Sequence, residues 1–86
     1  MEETKVIKVL LLSTQGIVVS EIEEIAAEYG DPNCKLTKPY KIEGGDLHKW
    51  MHDYTEQNEV MINSDKIITL VTPSPMIFAQ YSKVTS

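Results

Sequence analysis

Apolar residues recur along this chain in short bursts between polar turns, a rhythm that favours strands over long helices. Residues 5–13, KVIKVLLLS, set Ile7, Val9 and Leu11 on one face of an extended segment and Val6, Leu10 and Leu12 on the other. Apolar side chains on both faces predict a strand covered on both sides. Thr14, Gln15 and Gly16 then read as a turn. Residues 34–42, CKLTKPYKI, predict a further strand with Leu36, Tyr40 and Ile42 on one face. Pro39 lacks an N–H and confines that strand to a sheet edge or a bulge. Glu43 to Asp46 reads as a loop. Two short apolar runs, 59–63 and 66–71, flank Ser64 and Asp65 and predict a hairpin. Pro73 ends the last strand. Ser74 as N-cap and Pro75 as first helical residue then predict a C-terminal helix over about 75–83, with Ile77, Tyr81 and Val84 at helical spacing.

Residues 17–29 admit two readings. Ile17 to Val19 are strand-like, but Ser20 and Glu23 fit a capping box, and Ile22, Ile25, Ala26 and Tyr29 share one helical face. Gly30 would then follow the helix end. Helix and strand both remain open on the residues alone.

Composition narrows the class. The 86 residues make one domain, 42% hydrophobic and 24% charged, an ordinary globular balance. A chain this small buries only about two-thirds of its surface, which makes stabilisation by a partner chain attractive. One cysteine, Cys34, excludes an internal disulfide. No uninterrupted apolar run is longer than Val9–Leu12, so no segment spans a bilayer, and the acidic start at Glu2 and Glu3 is not a secretory signal. The expectation is a cytoplasmic protein. The net charge is −5, and all eight basic residues are lysine. The field therefore opposes nucleic acid at long range, and any such binding rests on a local patch.

Enzyme constellations do not emerge. His48 and His52 stand four apart, and Asp53 and Cys34 would complete a metal set, but no His-Glu-x-x-His or second cysteine supports it. Cys34 reads as a small buried hydrophobe rather than a nucleophile. Gly44-Gly45 lacks the spacing of a phosphate loop. Glu21, Glu23 and Glu24 read as a solvated face. No metal, no cofactor and no catalytic residue is expected. Lys35, Lys38 and Lys41 with Tyr40 form a basic and aromatic cluster suited to a single strand, or else a solvated strand with Tyr40 in the core. Trp50 stands alone and reads as an anchor of the core or of a subunit interface.

The run Val60-Met61-Ile62, Asn63-Ser64-Asp65, Lys66 to Val71 resembles the second half of an Sm-like domain. Gly16 is similar in place to that family's first turn, and Asp31 and Asn33 before Cys34-Lys35-Leu36 resemble its Asp…Asn loop. Across nearly its full length the chain also resembles a family of short marine-metagenome proteins of cyanophage origin. The residues that match are Glu21 to Glu24, Asp31-Pro32, Cys34 to Leu36, Pro39-Tyr40, Trp50 and Ser64 to Ile67. The Sm resemblance implies a strongly bent, five-stranded barrel-like sheet in which residues 16–25 form the second strand. It implies subunits joined edge to edge into a homo-oligomeric ring, with single-stranded RNA or DNA bound at pore loops. Those loops correspond here to Asp31 and Asn33, and to Asn63, Ser64 and Lys66, with Lys35, Lys38 and Tyr40 as secondary candidates. Asn63 and Ser64 replace the arginine and glycine usual in the last Sm loop, which removes a stacking guanidinium. The acidic surface, the missing arginines and the apolar helix residues Ile77 and Phe78 suit a second expectation, a protein-interaction module of phage origin.

Overall fold

The computed structural model describes residues 6–13, 16–51 and 53–85. Its elements are β1 (Ile7–Leu12), β2 (Gly16–Glu24), β3 (Cys34–Glu43), β4 (Asp46–Lys49), β5 (Glu59–Ile62), a 3-10 turn (Ser64–Lys66), β6 (Ile67–Val71) and α1 (Pro75–Thr85). All pairings are antiparallel, in the order β4-β3-β2-β1-β6, with β5 on β3 as well. The sheet curls strongly without closing, and α1 packs on it. The expected mostly-β class with a C-terminal helix stands, with six strands rather than five.

The ambiguous second segment is a strand. Pairing with β1 and β3 on its two sides satisfies its backbone from both directions. That outweighs the few tenths of a kcal/mol per residue by which helix propensities differ. The capping-box serine does another job: Ser20 is fully buried, and its hydroxyl donates to the Glu21 carbonyl at 2.8 Å, with the Thr37 carbonyl at 3.0 Å. Residues 25–28 lie outside any helix or strand, held at the start by Ile25 N–H donating to the Asn33 carbonyl at 2.8 Å.

Two expectations are corrected. The runs 59–63 and 66–71 do not pair with each other: β5 joins β3, and β6 joins β1. A two-residue hairpin needs positive φ in its turn. Ser64 to Lys66 instead form a right-handed 3-10 turn that carries the chain from one flank of the sheet to the other. The true short hairpin is β3–β4. Gly44 and Gly45 both have positive φ, 59° and 84°, as a type I′ turn requires, and they join Glu43 to its partner Asp46. The strand Asp46–Lys49, DLHK, takes Asp46 from the end of the expected loop, and Leu47 to Lys49 lack the β-branched residues that signal a strand.

β3 organises the rest. One side pairs with β2 over Cys34 to Thr37 and again at Tyr40 and Lys41; the other pairs with β5 over Cys34 to Thr37 and with β4 over Tyr40 to Glu43. The change of partner falls at Lys38 and Pro39, where Ser20 on β2 faces two residues instead of one. This is the bulge that Pro39 predicted. Lys38 takes a φ of 52°, and its N–H turns outward to the Asn58 carbonyl at 2.6 Å. Tyr81 of α1, 1% exposed, inserts its hydroxyl there. It accepts from Glu21 N–H at 3.2 Å and donates to the Lys38 carbonyl at 2.8 Å, with the Thr37 carbonyl at 3.1 Å. Its ring meets Tyr40 edge to face, centroids 6.0 Å apart. The concave core is Leu10, Leu12, Val18 and Leu36, with Trp50, Val60 and Ile67 packed against it. On the opposite face, Val9, Val19 and Tyr40 stand side by side in register. The double coverage expected of β1 holds except at Leu11, which is exposed.

Burial pushes the Tyr81 phenol up from 10 to about 12, opposed in part by the Glu21 backbone hydrogen bond. The neutral phenol is thus the form that the fold favours. Its stabilisation is complete below pH 10 and is lost as pH rises towards 12, by about 2–3 kcal/mol over that window. Denaturant titrations from pH 8 to 11.5 should show this fall. Tyr81→Phe should lack it and lose about 1–3 kcal/mol at pH 7, because it strands buried backbone groups while keeping the ring.

Candidate nucleic-acid interface

The two expected loops meet. Asn33, just before β3, donates through Nδ2 to the Ser64 hydroxyl at 3.1 Å and accepts from Ser64 N–H at 2.9 Å through Oδ1. This two-point clamp ties the 31–33 segment to the 3-10 turn across 31 residues of chain. The turn is held further from within: Asn63 Oδ1 accepts from Asp65 N–H at 3.0 Å, and the Asn63 carbonyl accepts from Lys66 N–H at 2.9 Å. From β1, Ser13 N–H donates to the Lys66 carbonyl at 3.0 Å. Asn33 and Asn63 therefore act first on the backbone, as short amide side chains do in turns.

What this leaves outward is Asp31, Ser64, Asp65 and Lys66, all exposed. Asp65 was not singled out from the sequence, although its place between Ser64 and Lys66 was legible. Two carboxylates and one ammonium suit hydrogen bonding to base edges better than neutralisation of a phosphate backbone.

The secondary candidates do not share a surface. Lys35 pairs with Glu23, its cross-strand partner, at 3.3 Å. Lys38 and Tyr40 turn to the end of α1, where Lys38 Nζ donates to the Thr85 carbonyl at 3.5 Å and the Tyr40 hydroxyl to the Val84 carbonyl at 3.4 Å. A cation at a helix C-terminus is favoured by the helix dipole. Lys41 reaches Glu43 at 3.5 Å.

Beside the clamp runs a groove of about 480 Å³ between Ile22 and Cys34 on one wall and Ile67, Ile68 and Leu70 on the other. Cys34 is buried, and desolvation, then the Glu24 charge, raises its pKa, so the thiol stays protonated and unreactive at neutral pH. In that wall Ile68 and Leu70 are 62% and 46% exposed, and Val71 at the end of β6 is 47% exposed. Among the described residues β6 pairs with β1 alone and β5 with β3 alone, so each offers an open edge. Among the described residues, no three His, Cys, Asp or Glu side chains converge as a metal set, and His52, weighed with His48 above, lies outside those residues. Among the same residues no helix is long and apolar enough to cross a membrane.

These features define a small, curled antiparallel domain with a clamped polar turn beside an apolar open edge. The chain belongs to a family of unknown function (DUF6561), whose model matches residues 5–86. Comparison with curated proteins gives no match.

The clamp is testable by itself. Asn33→Ala should cost about 1–2 kcal/mol in denaturant titrations and speed amide exchange at Ser64 and Asp65, because a side chain that bonds the turn twice is removed. Unchanged exchange at those two amides would exclude the clamp.

Proposed function

We propose that this protein is a non-catalytic, single-stranded nucleic-acid-binding protein that works as a homo-oligomeric ring of Sm-like subunits. The observation that carries the reading is the Asn33–Ser64 clamp, which joins the two loops that the resemblance implies as the binding site. The strand path supports it: the last strand returns to β1, the one before it to β3, and a 3-10 turn links them. The ligand is single-stranded RNA, or DNA, with Ser64 and Asp65 at base edges and Lys66 at a phosphate. Each subunit adds a weak contact, and a ring multiplies such contacts by avidity.

The open edges supply the assembly. A strand edge with exposed Ile68, Leu70 and Val71 is an aggregation hazard unless it is covered. Pairing β6 of one subunit with β5 of the next is a heterologous contact, and such contacts close into rings when the rotation allows. The cyanophage likeness fits a ring that works in a host cytoplasm. A second reading, a protein-interaction module, has one observation in its favour: Met76 and Phe78 on α1 are 68% and 48% exposed.

Two experiments check the proposal. Light scattering after size exclusion should give a multimer of the 9.7 kDa chain, and Leu70→Lys should reduce it to monomer. A monomeric wild type would exclude the ring. Fluorescence anisotropy with short labelled A-rich and U-rich strands should show binding that Lys66→Ala weakens at least about tenfold. The same variant should flatten the salt dependence by about 0.7 in log–log slope for each phosphate that is no longer neutralised. Lys66→Ala is the cleaner probe, because Asn63 also caps the turn. Unchanged affinity in the double variant Asn63→Ala, Lys66→Ala would remove the loops from the site.

A further inference from the structure

A cleft of about 780 Å³ opens at the far end of β3, on the β3–β4 hairpin that the five-strand expectation lacks. Trp50 lines it and is held firmly: its ring packs against the buried cluster, and its backbone N–H donates to the Pro39 carbonyl at 3.0 Å. Tyr54 lines it too and is 84% exposed. Met51, which follows Trp50, takes a φ of 64°, and its carbonyl accepts from Tyr54 N–H at 2.9 Å and Thr55 N–H at 3.1 Å. A non-glycine residue in the left-handed region is uncommon and is frequent at ligand sites. Lys41 and His48 stand opposite each other across the β3–β4 ladder, and Lys49 follows. Glu43 and Asp53 complete the walls. In a chain of net charge −5, two ammonium groups and an imidazole thus meet two aromatic rings in one concavity.

We propose that this cleft binds a nucleoside 5′-phosphate, its base against Trp50 and Tyr54 and its phosphate at Lys41 and His48. Aromatic rings take any base by its π face, and ammonium and imidazole groups take the phosphate. The nucleotide is either free or one unit of a single strand; the second case rests on the nucleic-acid reading above.

Trp50 is the only tryptophan, so emission excited beyond the absorption of the four tyrosines reports on this cleft. The full-length protein is titrated at low salt with nucleoside 5′-monophosphates, the matching nucleosides, inorganic phosphate and a short single strand. A saturable quench by the monophosphates is expected, about tenfold weaker with nucleosides and absent with phosphate. Quenching by the strand alone would assign the unit to a polymer, and quenching by mononucleotides to a free ligand as well. Tyr54→Ala and Lys41→Ala, both at partly or largely exposed positions, should each weaken the quench about tenfold or more. Lys66→Ala should leave the mononucleotide quench unchanged. That variant separates the two sites: loss of strand anisotropy with the quench intact supports both, and a quench in a protein whose loops bind no strand leaves the cleft standing alone. No saturable quench by any nucleotide or strand, or one that survives Tyr54→Ala together with Lys41→Ala, overturns the proposal.

Discussion

One phenol hydroxyl holds the bend from which the other features follow. Where β3 passes Lys38 and Pro39, the ladder with β2 skips a residue, and buried backbone groups go without strand partners. Buried N–H and carbonyl groups without partners are expensive, so the kink persists only if something else bonds them. Tyr81 does so from α1, accepting from Glu21 and donating to Lys38, while Ser20 serves Glu21 or Thr37 beside it. The helix is therefore a plug for the fault line as well as a cover. Its last turn is fastened by Tyr40 and Lys38, both from the faulted strand.

The bend allows β3 two different neighbours on one side. Before it, β5 brings Asn63 and the 3-10 turn to Asn33; beyond it, β4 brings His48 and Lys49 beside Lys41. The two candidate sites thus sit at opposite ends of one strand. Each uses a different chemistry: a rigid polar turn at one end, aromatic rings among mixed charges at the other. Because the sheet curls without closing, β5 and β6 remain open, and the apolar groove lies along the open seam beside the clamp. An interface that covered the seam would bury the groove and set neighbouring turns close together, so the proposed assembly and the proposed binding would depend on the same edge.

Charge sets the limits within which both sites work. Eight lysines face thirteen acids, and several lysines are tied into the fold, such as Lys35 at Glu23 and Lys38 at the end of α1. Little cationic surface remains for bulk attraction of a polyanion. Recognition that reads base edges and π faces suits such a surface.

The sequence by itself determined the elements whose signals are local. Alternating apolar residues marked β1 and β3, Pro39 marked the bulge, and Ser74 and Pro75 marked the start of α1, where Ser74 Oγ accepts from Ile77 N–H at 3.2 Å. Glycine at 44 and 45 also carried the β3–β4 turn, but its short polar partner strand did not look like one. Tertiary structure alone decided that β5 joins β3 and β6 joins β1, since those pairings are set by partners distant in the chain. It overrode the helix signal after Ser20, separated β5 from β6, and turned Asn33 and Asn63 towards the backbone. It dispersed the Lys35, Lys38 and Tyr40 cluster and gathered Lys41, Trp50 and Tyr54, which no sequence spacing had linked. Hydrogen-bond satisfaction at the bend is the physical reason: where the ladder fails, partners come from wherever the chain can supply them, and that is a property of the whole fold.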